Sequence, residues 1–510
     1  MPELRESIAQ HYHERTKYDP ETLASKSQGL DWAKQPVPFK EYKIGTTFDL
    51  KPYIQDTLET FANNPDAQWW QRLSRLLFRS YGLTARMPSM GSAVYLRAAP
   101  SAGGLYPAEV YLVSRGTPLL PPGLYNYQCR THSLMHYWES DVWQGLQEAC
   151  FWHPAIENTQ LAIVITGVFY RSSWRYEDRA YRRIFLDTGH LLGNIELAAA
   201  MNDYRPHLIG GFVDEAINDL LYIDSQQESA IAVLPLADLL DVQQNLPLGC
   251  TALPSASETN YPPIPDGELL KYFHLRTQIQ PSVTGKVNLP RVQPEKILED
   301  KYNFPFCLKI PTATTPISWG EKLADLGTTM YKRRSTRAYS GESLSFDELK
   351  SLLDFTYQPQ NYIEQGLDGS PDYFDLNLIE TFIAVSGVKG LESGCYYYAP
   401  KAQELRQIRF KNFRRELHFL CLGQDLGRDA AAVLFHTADL KTAIAQYGDR
   451  VYRYLHTDAG HLGQRLNLAA TNLGVGVSGI GGFFDDQVNE ILGIPADEAV
   501  IYVTTLGKPR

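Results

Sequence analysis

The sequence predicts an α+β protein built as a tandem duplication, and three observations carry that reading. The first is a segment that recurs at constant spacing. Gly123-Leu124-Tyr125-Asn126-Tyr127 is echoed 271 positions later by Gly394-Cys395-Tyr396-Tyr397-Tyr398. The same spacing takes Tyr176 to Tyr447, Arg179 to Arg450, Tyr181-Arg182 to Tyr452-Arg453 and Asp187 to Asp458. It takes Gly189-His190-Leu191 to Gly460-His461-Leu462 and Ile209-Gly210-Gly211-Phe212 to Ile480-Gly481-Gly482-Phe483. Asn218 and Leu221 likewise meet Asn489 and Leu492. Self-similarity at one fixed period marks a repeated structural unit. The second observation is the mixed pattern inside each copy, and the third is the proline-rich stretch between the copies.

In the first copy Val110-Tyr111-Leu112-Val113 and Leu161-Ala162-Ile163-Val164-Ile165 are short apolar runs of strand character. Leu191, Leu192, Ile195 and Ala198-Ala199 recur at three- and four-residue spacing, which reads as a buried helix. The second copy repeats both signals in Phe382-Ile383-Ala384-Val385 and in Leu462, Leu466 and Ala469. Boundaries follow: a polar, aromatic-spotted arm over 1–50, a first half over 51–245, a linker over 246–314 and a second half over 315–510. The linker holds Pro254, Pro262, Pro263, Pro265, Pro281 and Pro290. Two domains also suit the length, because single cores stop growing near about 250–300 residues and this chain has 510.

Composition narrows the function. Hydrophobic residues make up 44% and charged residues 21%, the balance of a globular protein. The net charge of −10, with no long Lys/Arg run, argues against nucleic-acid and anionic-membrane partners. Six cysteines stand singly at 129, 150, 250, 307, 395 and 421, so no CxxC metal or redox motif is present. The chain starts without a signal-like apolar run and has no spanning-length apolar stretch, so the expected location is the cytoplasm.

The densest chemistry is Arg333-Arg334-Ser335-Thr336-Arg337. A helical turn would set Arg333 and Arg337 on one face. Guanidinium forks and a hydroxyl suit a phosphate monoester, although a solvated basic turn reads equally well from these residues alone. Aligning Leu76-Leu77 with Leu352-Leu353 places Thr57-Leu58-Glu59-Thr60-Phe61 opposite the cluster, so one half has an anion site that the other lacks. The complementary asymmetry lies at Pro100-Ser101-Ala102-Gly103-Gly104-Leu105-Tyr106-Pro107. Its counterpart is Pro371-Asp372-Tyr373-Phe374-Asp375-Leu376-Asn377-Leu378. Paired glycines allow close approach of backbone to a flat ligand, or simply a tight turn.

Together, Arg-Arg-Ser-x-Arg, Pro-Ser-x-Gly-x-Leu-Tyr-Pro, the Asp-x-Gly-His helix and the late Ile-x-Gly-Phe turn resemble the SagB/ThcOx-type azoline dehydrogenases. These belong to the FMN-dependent nitroreductase superfamily, and this chain looks close to its cyanobactin oxidases. The resemblance covers nearly everything except the linker and part of the arm. It implies two nitroreductase-like folds packed as an intramolecular pseudo-dimer, with one FMN per chain in their interface. Arg333, Arg334, Ser335 and Arg337 would then hold the phosphate and ribitol. Ile480, Gly481 and Gly482 would pass along the flavin, and Lys508 and Arg510 would add basic contacts. Pro100, Ser101 and Gly104 would reach over from the other half.

The implied reaction oxidises a thiazoline or oxazoline in a ribosomally made peptide to the azole, with dioxygen as electron acceptor. The family often presents a Lys-Tyr pair before its Gly-Asp/Glu-Arg segment. Here that segment reads Gln446-Tyr447-Gly448-Asp449-Arg450, and the first half offers Arg175-Tyr176. Tyr447 and Tyr176 are the proton-transfer candidates, with Arg175 as the replacement cation. His190 and His461 read as core histidines. The resemblance admits the heterocyclase of the same pathway as a partner, and a homodimer beyond the internal pairing. No metal is expected. The competing readings are a general NAD(P)H-dependent nitro/quinone reductase and a non-catalytic peptide-binding scaffold.

Overall fold

The computed structural model describes residues 5–23, 29–54, 63–88, 93–241, 251–281 and 299–510. Each half centres on a seven-stranded antiparallel sheet. In the first half the strands are Thr46–Asp49 (β1), Ala108–Ser114 (β2), Gly123–Gln128 (β3), Ser133–Trp138 (β4), Leu161–Val168 (β5), Tyr204–Pro206 (β6) and Glu228–Asp238 (β7). They lie side by side in the order β1-β4-β3-β2-β5-β7-β6. In the second half they are Lys309–Pro311 (β8), Glu380–Val385 (β9), Gly394–Ala399 (β10), Glu404–Arg409 (β11), Ala432–Asp439 (β12), Gly476–Ile480 (β13) and Glu498–Gly507 (β14). Their order, β8-β11-β10-β9-β12-β14-β13, is the same.

The repeat extends to irregularities. One register shift falls between Leu124 and Tyr125 and another between Cys395 and Tyr396. A second pair falls between Ile165 and Thr166 and between His436 and Thr437. Both pairs keep the 271-residue spacing. A bulge inserts one residue against a partner strand and re-aims the side chains beyond it. Its recurrence confirms the α+β tandem duplication and its pseudo-dimeric packing.

Two long helices, Ala180–Ala200 and Val451–Asn472, form the seam between the halves. Both are buried almost from end to end, which explains why their apolar stripes run into polar residues without a solvent face. The repeated glycines set their crossing. A Cβ on Gly189 would collide with Thr457 O and lie 2.8 Å from the Cα of Gly460, and a Cβ on Gly460 would collide with Leu186 O. Only hydrogen at both positions lets the backbones approach this closely.

The repeated arginines lock the seam. Arg450 and Arg453 of the second half each reach Asp214 of the first at 2.7 Å. Arg179 and Arg182 of the first half reach Asp485 of the second at 2.9 and 2.7 Å. All six side chains are buried. Removing one partner would leave an uncompensated buried charge, a loss of about 3–5 kcal/mol.

The arm and the linker do more than connect. In the arm, Ser7 caps the helix Ile8–Arg15 in a capping box with Gln10. That helix buries Tyr12, stacked on Phe273 at 4.4 Å, and His13, whose Nδ1 meets Tyr452 Oη at 3.1 Å. The arm also supplies β1, the edge of the first sheet. Within 246–314, the helix Leu269–Arg276 buries Leu269, Leu270, Phe273 and His274, and β8 completes the second sheet. Proline density predicted a spacer, but these apolar side chains belong to the core. Among the described residues no helix is long and apolar enough to cross a membrane.

Candidate functional site

A cleft opens in the seam where the two asymmetric motifs meet. Pro100, Ser101, Ala102 and Gly103 come from the first half, together with Arg183, Leu186, Asp187 and His190 of the first central helix. The second half supplies Ser335, Arg337, Asn467, Ser478, Gly479, Gly481 and Tyr502. The cleft is therefore composite: neither half could build it alone.

The basic cluster is extended rather than helical. The helix Ala324–Lys332 ends at Arg333, whose φ of −51° and ψ of 125° leave the helical region. Pairing wins over helical propensity here. Thr336 N donates to Val477 O at 2.8 Å and Val477 N donates to Thr336 Oγ1 at 3.0 Å, tying the segment to the edge strand β13. Arg333 is buried and crosses to the first half, its Nε donating to Ala98 O at 2.7 Å. Its Nη1 has no partner among the described residues. Burial pushes its guanidinium down to about 10. Ser335 and Arg337 face the cleft, and Arg337 is exposed.

Asp187 organises the opposite wall. Ser101 Oγ donates to its Oδ2 at 2.6 Å and Ala102 N to its Oδ1 at 3.1 Å, fixing the loop to the central helix. Burial pushes this carboxyl up to about 7. Asp458 does the same in the second half, accepting from Phe374 N at 3.0 Å and Asp375 N at 2.9 Å, and burial pushes it up to about 7 as well. Gly103 and Gly104 both have φ of 66°, which a side chain adopts only with strain. His190 meets Gln464 Oε1 at 2.9 Å and Tyr502 Oη at 2.8 Å, so both ring nitrogens are engaged. Burial pushes it down to about 3, and the ring stays neutral.

The remaining predicted residues fall in three places. Tyr176 flanks the cleft: a Cβ on Gly103 would lie 2.9 Å from its Oη, and the Arg183 guanidinium stacks 3.7 Å from its ring centre. Arg175 is exposed beside it. Tyr447 lies elsewhere, its Oη donating to Asp375 Oδ2 at 3.1 Å beside Gln446 Nε2 at 3.2 Å. Arg334 turns to Thr84 O at 3.0 Å, and Lys508 pairs with Glu348. Arg510 N donates to Ala338 O at 3.2 Å. Gly481 lies directly against Arg183 Nη1, Gly482 faces Leu422, and Ile480 is buried in the second core. The residues opposite the arginine cluster in the repeat, 57–61, lie outside the described residues.

Sequence reasoning missed Arg183, Asn467, Gly479 and Tyr502. A signal for them existed. Arg183 faces Tyr454 in the repeat and Asn467 faces Glu196, breaks inside otherwise matching helices.

The residues suit a flat, phosphate-bearing cofactor. Arg337 lines the cleft, and Arg333 Nη1 and Arg183 Nε are buried without partners among the described residues. Arg183 now lies across the floor of the cleft, leaving about 100 Å³ of free space.

Fold and site together define a duplicated two-sheet protein with one interface cleft lined by arginines. The chain belongs to the Nitroreductase family, whose model matches residues 73–237 and 330–508. A crystal structure of a protein from Anabaena variabilis, described as a candidate nitroreductase, is 80% identical over 99% of this chain and 100% of that one, with a TM-score of 0.94. A candidate nitroreductase of Methanocaldococcus jannaschii is 34% identical over 34% of this chain and 85% of its own length. The trifolitoxin-processing protein TfxF of Rhizobium leguminosarum bv. trifolii is 28% identical over 26% of this chain and 43% of its own length. Among the described residues no cluster of three or more potential ligands could hold a metal.

Proposed function

We propose that this chain is a flavin-dependent oxidoreductase that holds one FMN in the composite cleft and oxidises azoline rings in a modified peptide. The carrying observation is the division of one site between two halves: the arginine cluster from one, the Pro100–Gly103 loop from the other. Arg333, Ser335 and Arg337 would hold the phosphate end. The backbone at Gly481 would let a planar ring lie close. Arg183 would swing away from Gly481, its long side chain being the movable wall. FMN, when bound, supplies the two-electron acceptor for a hydride and returns to its oxidised form with dioxygen.

Turning an azoline into an azole removes a proton from Cα and a hydride from Cβ. Tyr176, stacked under the Arg183 guanidinium beside the cleft, is the proton-handling residue in this reading. The similarity to TfxF, a toxin-processing protein, favours a peptide substrate. The heterocyclase that makes the ring would be the natural partner.

A second reading is NAD(P)H-driven reduction of nitroaromatics or quinones, favoured by the description of the Anabaena relative. One experiment separates them. The purified protein is assayed for released flavin, then incubated in air with a thiazoline-containing peptide. About one FMN per chain and a product two mass units lighter support azoline oxidation. One FMN with no mass loss, but NAD(P)H-dependent turnover of nitroaromatics, supports the second reading. A protein that binds no FMN on reconstitution overturns both.

A further inference from the structure

One wall of the composite cleft carries a chain of hydrogen bonds whose directions are fixed from one end. It starts at a backbone carbonyl, which can only accept. Asn194 Nδ2 donates to Ser80 O at 3.1 Å, so Asn194 turns its Oδ1 the other way. Gln464 Nε2 donates to that oxygen at 2.6 Å, which leaves Gln464 Oε1 facing His190 Nδ1 at 2.9 Å. An amide oxygen cannot donate, so Nδ1 carries the ring proton. His190 is neutral, its pKa pushed by burial down to about 3. Its Nε2 is therefore a lone pair, and Tyr502 Oη, 2.8 Å away, donates to it. Burial also raises the pKa of Tyr502, which keeps the phenol protonated. All four side chains are buried.

At the cleft this chain ends in an acceptor. Tyr502 and Gly479 both line the cleft. The phenol oxygen rests against Gly479, where a Cβ would collide with it. With its proton committed to His190, Tyr502 can only accept there.

The repeat does not copy the arrangement. In the sheets Tyr502 pairs with His436 and Ala232 with Ile165, so Ala232 is the counterpart of Tyr502. Leu208, Gly193 and Arg465 stand opposite Gly479, Gln464 and Asn194. Leu208 and His461 line a second cavity in the seam, and there His461 Nε2 meets Glu196 Oε2 at 3.3 Å instead. The histidine is kept, and every residue that orients the phenol or makes room for it has changed. Packing alone does not call for an oriented phenol on one side of the seam.

We infer that Tyr502 orients the cofactor ring, its hydroxyl oxygen accepting a hydrogen bond from the imide N3–H of a flavin bound in the composite cleft. Asn194, Gln464 and His190 are its positioning residues. The inference rests on the reading that this cleft holds FMN. Oxidised isoalloxazine carries one ring N–H, at N3, and its other polar ring atoms, N1, N5, O2 and O4, are acceptors. A phenol that can only accept is satisfied by N3–H and repelled by the rest, so it selects the edge of the ring that faces it.

Fluorescence titrations of the flavin-free full chain with FMN and with 3-methyl-FMN, whose N3 carries a methyl group in place of hydrogen, test this. Wild type is expected to bind 3-methyl-FMN about tenfold more weakly, through loss of one hydrogen bond to a buried acceptor. In Tyr502→Phe the acceptor is gone, and the two affinities should come within about threefold. Gln464→Leu keeps the bulk of the phenol but frees His190 to carry its proton on Nε2 and Tyr502 to turn its O–H into the cleft. The ratio should fall there too, whereas a methyl group that merely clashes would leave it unchanged. General damage to the cleft weakens both flavins together and does not move the ratio. Nitrogen NMR of isotope-labelled histidine in the unsubstituted chain should show His190 protonated at Nδ1, and this measurement decides the matter if neither variant folds. Equal affinity of wild type for both flavins, an unchanged ratio in either variant, or a proton on His190 Nε2 would overturn the inference and leave the cofactor reading intact. A chain that binds neither flavin overturns both.

Discussion

The two clefts of the seam come from one duplicated pattern and have diverged in opposite directions. In the composite cleft small residues and cations share the lining: Ser101, Gly479 and Gly481 stand with Arg183 and Arg337. In its counterpart, Asp372 and Leu208 occupy the matching places, and Arg205 is already bound to two carboxylates. Duplication within one chain removes the constraint that both sites of a symmetric pair share every residue. One cleft keeps an unneutralised basic side chain; in the other each carboxylate is already paired with a guanidinium.

The largest effect should come from breaking the link that makes the first cleft composite. Arg333→Leu removes the guanidinium that bonds Ala98 O and leaves that buried carbonyl unpaired. It also removes the cation proposed for the phosphate. Flavin content is expected to fall below about a tenth of wild type, and stability by about 3 kcal/mol. Flavin release with a urea titration reads both. Full flavin retention would detach Arg333 from cofactor binding.

The paired glycines Gly481 and Gly210 sharpen the comparison. A Cβ at Gly481 meets the end of the flexible Arg183 side chain, whereas one at Gly210 meets the rings of Phe374 and Tyr454, the latter at 2.8 Å. Gly210→Ala should therefore cost about 1–3 kcal/mol through overpacking. Gly481→Ala should leave stability within about 0.5 kcal/mol and weaken flavin binding instead. The reverse pattern would mean that Arg183, not Phe374, is the rigid wall.

The tyrosine pair tests which side handles protons. Tyr176 stands beside the composite cleft, while Tyr447 bonds Asp375 in the other half. Tyr176→Phe is expected to lower turnover about tenfold with flavin content unchanged. Tyr447→Phe should cost about 1 kcal/mol of stability and leave turnover within about twofold. Steady-state rates on both variants decide it, and equal losses would argue against an asymmetric assignment.

How much of this was legible depended on whether a position kept or broke the repeat. Many matching positions proved to be scaffold: Gly189 and Gly460 permit the helix crossing, and Arg179, Arg182, Arg450 and Arg453 bridge the halves, although Pro100, Asp187, His190 and Gly481 match and still line the cleft. Their type was readable, and Asp214 and Asp485 keep the same spacing, but their pairing across the seam leaves no local pattern. Positions that break the repeat, such as Arg183 and Asn467, proved to line the cleft. The extended form of Arg333–Arg337 was hidden because it depends on Val477, far along the chain. The core role of the proline-rich linker was equally non-local, since Phe273 finds its partner Tyr12 in the arm.

The most discriminating comparison concerns Asp187 and Asp458. Burial pushes each carboxyl from an ordinary value near 3.8 up to about 7. A group whose folded pKa lies above its unfolded one binds its proton more tightly in the folded state. Its contribution to stability is therefore fullest below about pH 4 and declines as pH rises towards about 7, by at most about 1.4 kcal/mol per pH unit. Asn at either position keeps one acceptor oxygen and removes the titration. Urea midpoints of wild type, Asp187→Asn and Asp458→Asn across this range should show each substitution flattening the profile by a similar amount. Adding FMN separates them. A cofactor beside the Pro100–Gly103 loop changes the surroundings of Asp187 alone, so the Asp187→Asn difference profile should shift while that of Asp458→Asn stays put. A shift at both positions would mean that the two halves respond as one unit and that the divergence of the clefts stops at their walls.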